Sequence, residues 1–199
     1  SMMAEWGGTR AAFAPVIALS LIGMTVGTLI AGEIGDRFGR RAGLIGSVLV
    51  FGILTAASAL ANDITTLTVL RFLAGMGLGG ALPNSSAMSA EVTPIRWRAQ
   101  CVMLTILCVP LGSMLGGLLA SAILPTMGWR TLFLIGGLLP VAVAVVLYFV
   151  LPESPRYLVR RPQRHPELAR LLGRMGHPVP AGATLVNLTE GDSQRVSIA

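Results

Sequence analysis

The stretch from Gly32 to Arg41, which reads GEIGDRFGRR, decides the fold because it sets five charged residues and three glycines between two long apolar runs. Glycines allow the chain to turn tightly. Arginines beside an apolar run are typical of the cytoplasmic surface of a membrane protein, where they meet lipid phosphate. A positively charged hairpin at the lipid surface is therefore one interpretation, and the fixed order G-x-x-x-D-R-x-G-R-R permits a more specific one.

Apolar runs dominate the rest of the chain. Of its 199 residues, 53% are hydrophobic and only 12% are charged, with a mean hydropathy of +0.73, whereas charged residues make up about a quarter of an ordinary soluble domain. This composition excludes a water-soluble enzyme, a disordered tail and a disulfide scaffold. Five runs without charged residues each approach the roughly 20 residues that a bilayer core requires. The sequence therefore predicts an all-α membrane protein with five transmembrane helices, at about 11–33, 42–62, 66–90, 99–124 and 131–151.

Most of the arginines lie at the same end of the predicted membrane helices. All fifteen basic residues are Arg, and the formal net charge is +6. Twelve of them follow the first, third and fifth runs, whereas only Arg10 and Arg130 lie at the opposite ends. Because positive residues mark the cytoplasmic side, we expect a multi-pass protein of a bacterial inner membrane with its N-terminus outside and its tail in the cytoplasm. Residues 1–152 are then a partial transmembrane bundle, and residues 153–199 are a cytoplasmic linker.

Residues that usually carry catalysis or bind metals are sparse. Cys101 and Cys108 lie in one apolar run and are interpreted as apolar side chains. His165 and His177 have no cysteine or carboxylate cluster at ligand spacing. The arginines lie in loops rather than on a folded polar surface, which argues against nucleic acid as a partner. We therefore expect neither an enzyme nor a metal site.

Two polar residues of the third run are candidates for a function inside the membrane. Arg71 lies about two turns inside the outer boundary, and an arginine at the bilayer centre costs at least about 2.5 kcal/mol, so it is a functional candidate. The alternative is that it snorkels to the outer headgroups. Asn84 follows the helix-kinking Pro83 and is a candidate for lining a substrate path. The alternative is a hydrogen bond between helices.

The order of residues from Gly32 to Arg41 resembles the signature loop between helices two and three of the major facilitator superfamily. The resemblance implies that the five helices are helices two to six of a twelve-helix fold, truncated, with helix one and the C-terminal half missing. In that family the loop belongs to a charge network that latches the outward-facing state. Asp36 would cap a helix N-terminus of the second half, while Arg40 and Arg41 would pair with carboxylates of the first half. The implied cytoplasmic gate consists of Gly32, Asp36, Arg37, Gly39, Arg40, Arg41, Glu91, Arg98, Glu153 and Arg156.

Other stretches are similar to the aromatic acid:proton symporters of that superfamily, namely EWG at 5–7, RFLAGMGLGGALPN at 71–84, GWR at 128–130 and PESPRYLV at 152–159. The resemblance implies proton-coupled uptake of a small aromatic carboxylate, such as a hydroxybenzoate, by alternating access. Arg71 would face the central cavity and couple to an acidic residue of the missing helix one. The coupling ion would be H+ with no cofactor, and the partners would be a small organic anion and membrane lipid.

Two alternatives stay open from the sequence alone. The chain could come from a carrier of sugars, nicotinate or another organic solute in the same superfamily. Most substrate contacts would lie on helix one and helices seven to twelve, which are the helices expected to be missing here. It could also be a truncated remnant that does not transport.

Overall fold

The protein is described by a computed structural model for residues 10–159 and for positions 166, 168 and 173. The described part is helical. A short 3-10 helix, Arg10–Phe13, leads into the first long helix, and a second one, Ser58–Leu60, follows the second long helix. The α-helices are α1 (Ala14–Phe38), α2 (Arg40–Ala57), α3 (Ile64–Val92), α4 (Arg98–Val150) and α5 (Pro155–Val159).

Four of the described helices, α1 to α4, are long and apolar enough to cross a membrane. The predicted helices at 99–124 and 131–151 are joined in α4, which has 53 residues and one break at Gly128, where φ is 79° and ψ is 177°. A straight helix of that length would separate its ends by about 80 Å. Cys101, near its start, and Leu151, the residue directly after its end, nevertheless line one cavity of about 420 Å³. Helix α4 is therefore a hairpin with two limbs, 98–127 and 129–150.

The turn between α1 and α2 is shorter than the sequence predicts. Helix α1 continues to Phe38 rather than ending near residue 33, and only Gly39 separates it from α2. Charged residues end an apolar run without ending a helix, because Glu and Arg are good helix formers. Glu33 and Arg37 illustrate this, since they form an exposed pair one turn apart on α1, with 2.6 Å between Oε1 and Nη2. Gly39 makes the reversal at a φ of 106°, a region that favours glycine.

Helices α1 and α3 run parallel and touch through glycines. A Cβ added to Gly23 would clash with the carbonyl of Phe72, and a Cβ added to Gly27 would clash with that of Met76. Both pairs are 49 positions apart, so the two helices keep one register in the same direction. Such close backbone approach stabilises helix pairs where lipid provides no hydrophobic driving force.

Helix α2 runs antiparallel to both of its main neighbours. Against α3, the contacts of Gly43 with Asn84 and of Ser47 with Gly80 move in opposite directions along the two helices. Against the second limb of α4, Gly52 packs on Gly137. Chain direction therefore alternates along the bundle, and one end carries Gly39 while the other carries Asp63. We call these the Gly39 end and the Asp63 end.

The Asp63 end is fixed by a helix cap. Asp63 precedes α3, and its carboxylate accepts hydrogen bonds from the Thr66 hydroxyl at 2.6 Å and the Thr66 N–H at 2.8 Å. These bonds lower the pKa of the Asp63 carboxyl. Beside the cap lies a small apolar cluster of Val16, Ala61 and Leu67, against which Phe133 packs.

Candidate functional site

An ionic cluster at the Gly39 end joins α1, α2 and α3. Arg40, the first residue of α2, reaches back to Asp36 with 2.5 Å between Nη2 and Oδ1, and across to Glu91 with 3.8 Å between Nε and Oε1. The Arg40 and Glu91 side chains are 20% and 16% exposed, whereas Asp36 is 63% exposed. Glu91 is thus shielded inside the bundle, and Asp36 is presented at its surface.

The segment after α4 closes this cluster from the other side. Glu153 is buried, and its Oε1 accepts the backbone N–H groups of Arg41 at 3.2 Å and Ser154 at 3.0 Å. The Ser154 hydroxyl is hydrogen-bonded to Glu91 Oε2. A Cβ on Gly39 would stand only 2.8 Å from Glu153 Oε2, so glycine is required there both for its positive φ and for space. The two carboxylates at 91 and 153 are therefore linked through one serine.

Among the described residues, the side chain of Arg41 contacts Tyr148 rather than a carboxylate. Its backbone N–H reaches Glu153, but its guanidinium donates to the carbonyl oxygen of Tyr148 and lies 5.2 Å from the centre of that ring. The physical reason is helical geometry, because consecutive residues point about 100° apart around a helix. Arg40 faces α3, so Arg41 faces the second limb of α4, where Tyr148 lies in the last turn of the helix.

The other predicted gate residues lie around the cluster. Arg37 is 71% exposed and pairs with Glu33, and Gly32 has open space where a Cβ would stand. Arg98 is exposed at the first residue of α4 and lines a surface cavity with Ile95. The side chain of Arg156 lies outside the described residues, as does most of the predicted linker beyond residue 159.

Asn84 lies at the crossing of α1, α2 and α3. It is fully buried, and its amide nitrogen donates to the carbonyl oxygens of Ala31 at 3.1 Å and Gly80 at 2.9 Å. This is the position of a hydrogen bond between helices, the alternative that the sequence leaves open. A role for Asn84 along a substrate path stays a prediction.

Arg71 lies seven residues into α3, toward the Asp63 end. Its guanidinium carbon stands 4.2 Å from the centre of the Phe133 ring, on the second limb of α4. A cation over an aromatic face at this distance is attracted by the ring, by about 0.5–1 kcal/mol at exposed sites and more when desolvated. The structure thus gives Arg71 an aromatic neighbour inside the bundle.

Sequence reasoning missed four contributors to these contacts: Ser154, Tyr148, Phe133 and Gly35, at which an added Cβ would clash with Asn84. Gly35 could have been found, because Gly23, Gly27, Ala31 and Gly35 repeat every four residues and are all buried on one face of α1. The other three carry no local signal, since their partners are more than 60 residues away in the chain.

The parallel and antiparallel glycine-packed helices, long and apolar enough to cross a membrane, define a multi-pass α-helical membrane protein with a shielded ionic cluster at one end. Residues 1–188 match the sequence profile of the Major Facilitator Superfamily. The chain belongs to this superfamily.

Relatives and solved structures agree with this assignment. The chain is 44% identical over 157 residues to the 4-hydroxybenzoate transporter PcaK of Pseudomonas aeruginosa, covering 79% of this chain and 35% of the relative. It is 39% identical over 182 residues to the gallate transporter of Pseudomonas putida, covering 92% and 40%. The structure superposes on the partially occluded inward open conformation of the xylose transporter XylE from E. coli with a TM-score of 0.72 at 25% identity, covering 93% and 47%. The chain thus spans less than half of each protein that it matches here.

Proposed function

We propose that this chain is part of a secondary active transporter that takes up a small aromatic carboxylate together with a proton by alternating access. The observation that carries the proposal is the 39–44% identity to transporters named for 4-hydroxybenzoate and gallate, against 25% for the xylose transporter. Both named substrates are small aromatic acids, and identity at this level runs through most of the chain.

The charge of such a substrate favours proton coupling. An aromatic carboxylate is an anion at neutral pH, and moving one charge against a membrane potential costs about 2.3 kcal/mol per 100 mV. Co-transport of one proton makes the step electrically neutral. Arg71 is the cation suited to attract the anion, since it lies within α3 and its described neighbour is the uncharged Phe133 ring.

We place the Gly39 end in the cytoplasm, with five membrane crossings. Helices α1, α2 and α3 would each cross once, and the two limbs of α4 would cross once each with Gly128 outside. The bias of arginines toward the Gly39 end supports this orientation. The ionic cluster of Asp36, Arg40 and Glu91 then acts as a cytoplasmic gate that must rearrange when the transporter opens inward.

An uptake assay tests the proposal. The complete gene that encodes this chain is expressed in a bacterium unable to take up 4-hydroxybenzoate, and accumulation of the labelled acid is measured with and without a protonophore. We expect accumulation that the protonophore abolishes, that excess gallate inhibits and that excess xylose leaves unchanged.

The same assay separates the alternatives. Accumulation of labelled xylose or nicotinate without that of 4-hydroxybenzoate would replace the aromatic substrate by another solute. A matched strain expressing only these 199 residues is the control for the remnant alternative. We expect it to accumulate nothing, because a central cavity is built between two halves of such a transporter.

A further inference from the structure

One buried oxygen at the three-helix crossing has no conventional hydrogen-bond donor within the described residues. It is Oδ1 of Asn84, a side chain that is fully buried. Leaving a buried acceptor without a donor costs about 1–3 kcal/mol. Such an atom in a folded protein calls for an explanation.

The orientation of the Asn84 amide is fixed by its neighbours. Its nitrogen faces two carbonyl oxygens, those of Ala31 and Gly80, which can only accept hydrogen bonds. Exchanging nitrogen and oxygen would set oxygen against oxygen. The orphan oxygen therefore faces the other way, toward Gly35 and Gly43, where added Cβ atoms would meet it.

Arg40 stands on the far side of the same small space. Two of its nitrogens are used in the ionic cluster, Nη2 toward Asp36 and Nε toward Glu91. The third, Nη1, lies 3.3 Å from the point where a Cβ of residue 35 would stand, and Asn84 Oδ1 lies even closer to that point. Only a residue without a side chain at position 35 leaves this gap open between donor and acceptor.

We propose that Asn84 is a positioning residue of the gate, whose carbonyl oxygen forms the second binding position of the Arg40 guanidinium. When protonation or rearrangement takes a carboxylate away from Arg40, its Nη1 moves past Gly35 and donates to Asn84 Oδ1. A largely buried guanidinium without a partner is strongly unfavourable, and the orphan oxygen is unfavourable as well. This single movement gives the guanidinium an acceptor and the orphan oxygen a donor, so Asn84 stabilises the open gate. This inference rests on the proposed gate.

The test uses Cys101 as a reporter, because it lines the cavity at the Gly39 end and is half-buried. In the complete transporter with every other cysteine replaced, the rate of labelling by a membrane-impermeant maleimide is measured in inside-out vesicles. We expect Asn84→Leu, which keeps the branched shape of the side chain and removes the acceptor, to slow labelling about tenfold, as for the loss of a hydrogen bond to a charged group. Asn84→Ala, which leaves space instead, should do the same. In an Arg40→Gln background neither change should have any further effect.

Two controls make each outcome decisive. Thr55 Oγ1 is also buried without a partner in the described part of the chain, but lies at the other end of α2 from Arg40, near Gly136, so Thr55→Val should leave labelling unchanged. Asp36→Asn should speed labelling, and failure to do so would overturn the gate itself. A response to Asp36→Asn with no response to the Asn84 variants would overturn the inference alone. Equal slowing with and without Arg40 would also overturn it, because Asn84 would then act on packing.

Discussion

Arg40 and Arg41 are neighbours in the sequence, but their side chains make different contacts in the structure. Arg40 bridges the carboxylates of Asp36 and Glu91, while Arg41 ties the start of α2 to the end of α4 through Tyr148. The motif identifies both as important without saying which carries the ion pairs. Their difference follows from the helix face that each occupies, which depends on α2 beginning at Arg40 directly after Gly39.

The position of Arg71 within α3 predicts that its side chain is needed for uptake. Replacing it by Ala in the complete transporter should lower uptake at least about tenfold, since a charge-assisted hydrogen bond to the substrate anion is worth about 1.5–3 kcal/mol. Phe133→Leu, which removes only the ring under the guanidinium, should lower uptake about two- to fivefold. Uptake of the labelled acid, normalised to protein in the membrane, checks both.

Arg96→Ala is the matched control, because Arg96 is an exposed residue before α4. It should transport at the rate of the parent. Normal accumulation by Arg71→Ala would favour the snorkelling alternative and remove Arg71 from the mechanism.

The sequence predicts the chemistry of the site better than its contacts. The carboxylates and arginines were identifiable because charges are rare in this chain and stand at the ends of apolar runs. Ser154 and Tyr148 were not, because hydroxyls and aromatic rings are common at such ends and only the fold brings them to Glu91 and Arg41.

Among the helices, α1 and α3 can touch only because glycines, which have no side chain, lie where the two backbones meet. Gly75 and Gly79 of α3 face Ser20 and Met24 of α1 so closely that added Cβ atoms would clash with backbone carbonyls. The spacing G-x-x-x-G alone does not predict this, because Gly112 and Gly116 share it, yet added Cβ atoms there would meet no described atom within 4 Å.

Gly79→Ala and Gly116→Ala should therefore differ in their effects on stability. The first forces apart two packed helices and should destabilise the chain by about 1–3 kcal/mol, as overpacking does. The second places Ala in a helix with room around it and should be neutral or stabilise by up to about 1 kcal/mol. Unfolding of the 199-residue chain in detergent measures both, and equal effects would contradict the described packing.

Helix existence was predictable from the sequence, but helix ends were not. Every apolar run corresponds to helix, since each needs its backbone groups satisfied internally in lipid. The observed ends differ from the predicted ones for two reasons. Helix α1 continues through charged residues as far as Phe38, and the break in α4 is a single residue, Gly128.

For the whole molecule, the alternating helix directions predict a testable topology. A reporter inserted after Gly128 should lie outside the cell and one fused after Val159 should lie in the cytoplasm. Alkaline phosphatase should thus be active only at the first site and green fluorescent protein should fluoresce only at the second. The same compartment for both would contradict the hairpin in α4.

If the complete transporter moves an aromatic carboxylate and a proton together, as we propose, adding the substrate on one side of a membrane must carry protons across it. The purified transporter is reconstituted into liposomes that enclose a pH-sensitive dye, without a membrane potential, and 4-hydroxybenzoate is added outside. We predict immediate acidification inside, absent with xylose and at least about tenfold slower in Arg71→Ala liposomes. Uptake of the labelled acid with no change of internal pH would contradict the coupling of substrate to protons.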